Sequence, residues 1–387
     1  MPIVNRVADM HDEIAAWRRD FHEHPEIGFE VQRTAGIVAD KLRAFGCDEV
    51  VPGIGKTGVV GVIKGRSMTS GTVVGLRADM DALPILEMTG VPYASKTPGK
   101  MHACGHDGHT AMLLGAAKYL CETRNFDGTA VVIFQPNEEG LTGSRAMIED
   151  GLMERFGIQQ VFGMHTSPSH ELGKFAICAG PMLAACDKFT IEITGKGAHA
   201  ARPHEGIDPV VVAAQTIMAL QTIASRTIDP LEAVVVSTCM VRAGDAFNII
   251  PQSVGLTGTI RTLSEAVRRQ THARLRTIAE GTAALFGGKA EAAFEGDVPV
   301  TVNDAEKTKF ASGVARGIVG EGNVKDMRPI MGAEDFSHML NKRPGAFIMI
   351  GNGIGPGLHN PGYNFNDAAI PLGVSYWVRL AETAMRA

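Results

Sequence analysis

The sequence is most informative first in what it lacks. No stretch of its 387 residues approaches the roughly 18 consecutive apolar residues a membrane helix needs, which argues against a membrane span. The opening residues Met1-Pro2-Ile3-Val4-Asn5-Arg6 begin no apolar signal region, so export is not expected and the cytoplasm is the expected compartment. There is no basic run, and 42 acidic residues outnumber 37 Lys and Arg for a net charge of −5, which argues against a nucleic-acid surface. There is no CxxC pair. Cys47, Cys104, Cys121, Cys178, Cys186 and Cys239 are scattered. In a long chain with no export signal they read as free thiols rather than a disulfide framework. Internal repeats and low-complexity tracts are also missing. What remains, 45% hydrophobic and 20% charged residues, is an ordinary globular composition, and the length favours two domains.

Helical spacing of Met10, Ile14, Trp17 and Phe21 predicts a helix over 9–23, and Ile37, Val38, Leu42 and Phe45 predict another over 32–45. Apolar runs at 59–63, 73–76 and 130–134 read as strands, with helices at about 108–122 and 143–152. Strands alternating with helices predict an α/β layer with a largely parallel sheet. Near residue 187 the texture changes. Strands with period-two alternation at 189–194, 232–242 and 253–262 are interleaved with long helices at about 207–226 and 264–286, the pattern of an α+β layer with one wet face. After Pro299 the α/β texture returns and closes in a helix at about 368–385. The expectation is a discontinuous α/β catalytic domain, 1–186 with 299–387, built on a mixed sheet with helices on both faces. A smaller α+β domain is inserted at 187–298. Gly53-Ile54-Gly55-Lys56-Thr57-Gly58 matches a dinucleotide-binding spacing, but a strand-like run follows it instead of a helix, so it reads as a turn between a helix and a strand.

The densest chemistry is His102-Ala103-Cys104-Gly105-His106-Asp107-Gly108-His109. Imidazole, thiolate and carboxylate are the main ligands of transition metals, and packing does not explain such a density. Gly105 and Gly108 suggest a tight loop before the next helix. Asn137-Glu138-Glu139-Gly140 directly follows an apolar strand, where ligands of α/β sheets bind. Adjacent side chains point different ways, so one glutamate can hold a metal while the other faces a water. His165 ends another apolar run, and His359 lies in a Gly/Pro loop. Asp79 and Asp81 end a strand and can orient ligand histidines.

Arg77-Ala78-Asp79-Met80-Asp81-Ala82-Leu83-Pro84, the run from His102 to His109, Gln135-Pro136-x-Glu138-Glu139-Gly140 and Gly197-Ala198-His199-Ala200-Ala201-x-Pro203-His204 stand in this order. Phe247-Asn248-Ile249-Ile250-Pro251, Gly258-Thr259-Ile260-Arg261-Thr262 and Glu334-Asp335-Phe336 follow. From about Trp17 to Trp377 the chain resembles the amidohydrolases that include hippurate hydrolase, bacterial N-acyl-amino-acid hydrolases and plant auxin-conjugate hydrolases. These belong to the wider aminoacylase and carboxypeptidase group of dinuclear metalloenzymes. The resemblance implies five ligands, Cys104, His106, Glu139, His165 and His359, with Cys104 bridging two divalent ions (Mn²⁺, Zn²⁺, Co²⁺ or Ni²⁺) as a thiolate. It implies Glu138 as general base, and a lid domain that also dimerises, giving a homodimer or dimer-based tetramer. It brings His199 to the substrate from the lid, across the dimer in the wider group, with Asn248 and Arg261 lining the substrate side. Asn137 stands where the family usually has Ala, and Ala333 where it usually has Gly. Neither removes a ligand, so the expected effect is on substrate preference.

The expected reaction is metal-dependent hydrolysis of the amide of a small N-acyl amino acid. Glu138 takes a proton from the attacking water and returns it to the amine, His199 helps hold the oxyanion, and Arg261 receives the substrate carboxylate. The alternatives are a dipeptidase or aminopeptidase of the wider group, a thiol hydrolase using Cys104, and a non-catalytic metal-binding protein. The last has no use for Glu138.

Overall fold

In the computed structural model, which describes residues 4–386, the apolar runs 59–63 and 130–134 pair as neighbouring strands and are buried throughout. They belong to an eight-stranded sheet. Its strands are β1 (Glu49–Ile54), β2 (Gly58–Lys64), β3 (Val73–Asp79), β4 (Thr129–Gln135), β5 (Gln160–Ser167), β6 (Phe175–Ile177), β7 (Val324–Asp326) and β8 (Gly345–Gly351). The order across the sheet is β1-β2-β4-β3-β5-β8-β6-β7. β4, β3, β5 and β8 run parallel, while β1 with β2, β2 with β4, and β8 with β6 pair antiparallel. The sheet is therefore mixed, with a parallel centre.

Residues that alternate along the central strands enter opposite layers. Leu76, Val132, Phe162 and Ile348 share one core with the helices α1 (His11–Glu23), α2 (Gln32–Phe45), α3 (His106–Thr123), α5 (Ala305–Val319) and α6 (Ile370–Ala384). Their neighbours Val131, Ile133, Val161 and Phe347 are buried on the other face, where α4 (Gly143–Glu149) packs against β4. Both faces are covered, which is why these strands read as unbroken apolar runs.

Among the described residues these elements form one compact unit, 4–180, 302–328 and 335–386; the second comprises 181–301 and 329–334. The second is a four-stranded antiparallel sheet, in the order Val234–Ala243, Ser253–Thr262, Ala185–Thr194 and Lys289–Val298. Pro209–Leu220 and Glu265–Leu285 pack on one face of that sheet, each started by a side-chain cap, Asp208 and Ser264. Phe189, Ile191, Val254, Leu256 and Ile260 point to those helices, and Lys188 and Glu192 point away.

Several local expectations are corrected. The glycine-rich segment 53–58 is the turn of the antiparallel pair β1–β2, with Gly53 and Gly55 at positive φ. β1 was hidden by Pro52, where the pairing register shifts. The helix expected over 143–152 stops at Glu149, and Gly151 at φ 83 separates it from a short turn of helix, Leu152–Arg155. Gly108 is inside α3 rather than in a loop. A side chain there would meet the ring of Phe365 at 2.2 Å, so its role is close packing. The helix expected to 226 ends at Leu220 and continues as a wider turn, Ile223–Thr227. The strand Lys289–Val298 went unread because its inward positions include Ala290 and Ala292, which carry little strand signal.

Candidate metal centre

Because β3, β4, β5 and β8 are parallel, their carboxyl ends lie along one edge of the sheet. Asp79 ends β3, Glu138 and Glu139 follow β4, His165 lies near the end of β5, and the loop after β8 carries His359. Cys104 and His106 come from the segment entering α3. Gly105, at φ 86, turns the chain there. A Cβ on it would sit 2.5 Å from Thr166 Cγ2 and 2.6 Å from Tyr363 Oη, so only glycine fits. His359 adopts φ 63, with its N–H donating to the Ala103 carbonyl at 2.8 Å, which ties the two loops together.

Ligand-type atoms of Cys104, His106 and His165 lie within 4.8 Å of one another, and so do those of Cys104, Glu139 and His359. A third group within the same distance is His106, Glu138 and Glu139. Cys104 Sγ is 3.4 Å from His165 Nε2, and His359 Nε2 is 3.3 Å from Glu139 Oε1. The structure thus brings all five candidate ligands and Glu138 into one cluster, with Cys104 common to two groups. The side chain of His359 is 54% exposed while His106 is fully buried, so the cluster opens to solvent at one corner.

His106 and His165 are each committed at one nitrogen. His106 Nδ1 donates to the Asp81 carbonyl at 2.8 Å, and His165 Nδ1 donates to the Thr166 carbonyl at 2.7 Å. Their Nε2 atoms are the ones turned to the cluster. His109 differs. Its Nδ1 binds Asp79 Oδ1 at 2.6 Å and its Nε2 accepts the Thr166 N–H at 2.9 Å, so neither nitrogen is left to bind an ion. His102, also buried, is held neutral by burial, its pKa pulled to about 3, and joins none of the ligand groups.

Asp81 does more than orient a histidine. Its two carboxylate oxygens accept the backbone N–H groups of Glu138 at 3.0 Å and Glu139 at 3.1 Å. One side chain therefore fixes the turn that aims both glutamates. Beneath it, Arg77 binds Asp79 at 2.7 Å, Gln135 at 2.9 Å and Asp335 at 3.2 Å, all fully buried. Asp335 also accepts from Gln135 Nε2 and from the Ser144 N–H. The sequence marked Arg77 and Asp335 only as pieces of motifs. Their joint role needed a separation of 258 residues to be closed, and no local spacing signals that. His22 was missed altogether. It is buried with Nδ1 2.8 Å from Asp107 and Nε2 3.2 Å from Glu87, which lift it to about 9 against the opposing effect of burial.

The electrostatics of the cluster call for cations. Burial, then the charges of Glu139, Glu138 and Asp79, push the Cys104 thiol far above its ordinary range. Burial opposes charge on His106, yet Asp79, Asp81 and Glu139 lift it to about 10. His106 Nε2 makes no hydrogen bond, and its nearest carboxylate oxygens, on Asp79 and Glu138, are 3.8 Å away. A thiol, two glutamates and three imidazoles form a donor set that suits borderline transition metals far better than Mg²⁺ or Ca²⁺. The residues present fit a metal.

His199, Asn248 and Arg261 lie in the second unit. His199 is exposed and pairs with Ile249, and the Asn248 carbonyl accepts the Ala200 N–H at 3.1 Å, so these two are neighbours. Arg261 is half-buried on Ser253–Thr262, with Nε 3.3 Å from Thr259 Oγ1.

Residues 75–383 match peptidase family M20/M25/M40. The chain belongs to this family. It is 43% identical to hippurate hydrolase of Campylobacter jejuni over 98% of its own length and 99% of the relative's. It is 42% identical to thermostable carboxypeptidase 2 of Saccharolobus solfataricus, over 90% of this chain and 88% of that one. Among solved structures, a dinuclear metal binding peptidase of the M20 family from Bacillus subtilis superposes with a TM-score of 0.85 at 35% identity, covering 98% of this chain and 99% of that chain. Among the described residues, no helix is long and apolar enough to cross a membrane.

Proposed function

We propose that this member of the family is a dinuclear-metal amidohydrolase that splits small N-acyl amino acids into a carboxylic acid and an amino acid. The observation that carries the reading is the position of Cys104, shared between a group with His106 and His165 and a group with Glu139 and His359. A cysteine common to two ligand sets could serve two neighbouring ions. The names of the relatives agree on the substrate: hippurate hydrolase and carboxypeptidase both denote cleavage of an amide whose amine side carries a free carboxylate.

Cys104, His106, Glu139, His165 and His359 would hold the ions, for which Mn²⁺, Zn²⁺, Co²⁺ and Ni²⁺ are the candidates. When bound, two such ions supply Lewis acidity, polarising the amide carbonyl and bringing the pKa of a water toward neutrality. Glu138, buried and held by Asp81 through its backbone, takes the proton of the attacking water and delivers it to the leaving nitrogen. Asp81 and Thr166 keep His106 and His165 in the tautomer that leaves Nε2 free. His199 is assigned to the oxyanion, Asn248 to the substrate, and Arg261 to its carboxylate, on the strength of the family motifs.

A dimerisation role for the second unit is supported by its edge strand Val234–Ala243, which exposes Met240 and Val241, and by Phe247, which is 100% exposed, while a lid role rests on the family motifs. A cytoplasmic location is supported by six cysteines that are all free. The Cys104 thiol-hydrolase alternative is disfavoured because burial and the neighbouring carboxylates raise this thiol, whereas a nucleophilic cysteine needs a lowered one. The test is metal-reconstituted protein assayed against a panel of N-acyl amino acids, benzoyl-glycine included, beside dipeptides. Hydrolysis of dipeptides alone would replace this reading with a peptidase. Activity lost to iodoacetamide but indifferent to chelator would replace it with the thiol enzyme.

A further inference from the structure

Two thiols meet well away from the metal centre. Cys47 directly follows Gly46, the residue that ends α2, and Cys121 is in the last turn of α3. Their Sγ atoms are 3.5 Å apart, and both cysteines are free. Cys121 lies fifteen residues beyond His106 on the same helix, about 22 Å along the axis at ~1.5 Å per residue. The pair therefore belongs to neither the ligand set nor its supports.

The surroundings suit oxidation. Cys47 is half-buried, between the exposed Gly46 and Asp48, and Cys121 is buried just beneath it. A disulfide needs the sulfurs at about 2.05 Å. From 3.5 Å the sulfurs must close by about 1.5 Å, and Cys47 lies outside its helix. Arg124 is fixed beside the pair by the Asp48 carboxylate at 2.7 Å and by the carbonyls of Lys64 at 2.7 Å and Gly46 at 2.8 Å. The contact between the two sulfurs lowers the Cys121 thiol against the effect of burial, and Arg124 adds to the lowering. The same contact and burial raise Cys47.

We propose that Cys47 and Cys121 are a reversible redox pair, oxidised by hydrogen peroxide to a disulfide that staples the C-terminal ends of α2 and α3. The thiolate of one cysteine attacks one peroxide oxygen. The O–O bond breaks, and the departing hydroxide takes up a proton and leaves as water, giving a sulfenic acid. The sulfur of the other cysteine then attacks the sulfenic sulfur. The S–S bond forms as the S–O bond breaks, and the second hydroxide takes the remaining thiol proton and leaves as water. The two thiols lose two electrons and two protons, and the peroxide becomes two waters. A thiol reductant reverses the change. The disulfide would close a loop running from the end of α2, through β1, β2 and β3, to the end of α3, so its main effect is on the unfolded chain.

The metal-loaded full chain, treated with hydrogen peroxide near equimolar to thiol, is alkylated in denaturant and mapped by mass spectrometry without reduction. The expected product is a cross-linked peptide containing Cys47 and Cys121, lighter by two hydrogens and released by dithiothreitol. The oxidised protein should melt a few degrees higher than the reduced one. Cys47→Ser and Cys121→Ser should each lose the cross-link and the gain in melting temperature, while amide hydrolysis stays within about twofold, because neither residue is near the ligand set. The proposal is overturned if peroxide modifies exposed Cys239 while Cys47 and Cys121 remain alkylatable, or if the cross-link forms with no rise in melting temperature.

Discussion

The polar residues of the two units are built in opposite ways. In the first, His106, Asp79, Asp81 and Arg77 are buried, Arg77 and Asp79 hold one another, and Asp81 is tied to His106 and to the glutamate turn. In the second, His199 and Asn248 are exposed, and Arg261 is half-buried with a hydrogen bond to Thr259. Groups buried with like charges cost free energy unless a counter-charge arrives, so the first set is organised for an ion before the ion binds. Groups left in water cost nothing to hold and gain orientation only when a ligand does. The first set should therefore fail by losing metal, and the second by losing substrate or rate with the metal still in place.

The largest effect should come from removing the ions. Exhaustive chelation should abolish hydrolysis, and Mn²⁺, Co²⁺, Ni²⁺ or Zn²⁺ should restore it to differing extents. Cys104→Ser should lower bound metal and activity together, because a neutral hydroxyl is a poor replacement for a thiolate common to both ligand groups. Full activity in protein shown by elemental analysis to be metal-free would end the comparison.

Next in size is the division between adjacent glutamates. Glu138→Gln should retain its metals and lose kcat by roughly 10²-fold or more, the usual contribution of a general base. Glu139→Gln should lose metal as well as rate. If the metal contents come out reversed, so are the roles. Asp81→Asn keeps the shape but replaces one of the two oxygens that fix the glutamate turn with an NH₂ group. Metal affinity should fall about 10–100-fold, read by competition with a chromophoric chelator, with kcat recovering at saturating metal.

How much of this the sequence already contained depends on distance along the chain. Ligands announced themselves where chemistry crowds into one short segment, as from Cys104 to His106, or where a polar residue closes an apolar strand, as at Glu138, Glu139 and His165. Strands buried on both faces and helices with a clear stripe were legible for the same reason: local pattern encodes them. What stayed hidden is held by long-range pairing. Nothing near His22 says that Asp107 will face it, and nothing near Asp335 says that Arg77 will. Residues 329–334 fall with the second unit although the sequence texture there continues the first. His109 shows the converse. Sequence density makes it look like a ligand, and only the two hydrogen bonds that occupy both nitrogens remove it.

The His22 network offers a test that touches no ligand. Asp107 and Glu87 hold His22 at about 9 in the folded protein, against an ordinary value of 6.5. A raised pKa contributes stability that is complete below about pH 6.5 and is lost as pH rises through about 9. The full swing is ~3 kcal/mol. Wild type should therefore lose unfolding free energy between those pH values relative to His22→Gln, measured by denaturant titration of the metal-loaded protein. Parallel pH curves for the two proteins would mean that His22 is neutral in its pocket.

The smallest effects should belong to the second unit, and they decide what that unit is for. His199→Ala should lower kcat more than it raises KM, since an oxyanion is present only in the transition state. Arg261→Ala should behave otherwise. A guanidinium that meets the substrate carboxylate does so in the ground state and the transition state alike, so its loss should raise KM and leave kcat near its original value. At a solvent-accessible site the pair is worth about 1–2 kcal/mol, or roughly 5–30-fold in KM. The control is the substrate itself: for the matching amide, which has no carboxylate, wild type and Arg261→Ala should have similar KM values. A variant that weakens acid and amide equally would make Arg261 a structural residue of the strand Ser253–Thr262, as its bond to Thr259 already allows. If His199 serves the other protomer of a dimer, mixing inactive Glu138→Gln with inactive His199→Ala should restore part of the activity, because one heterodimer site then has both residues intact. Verified subunit exchange without recovery would assign His199 to its own chain or remove it from the reaction.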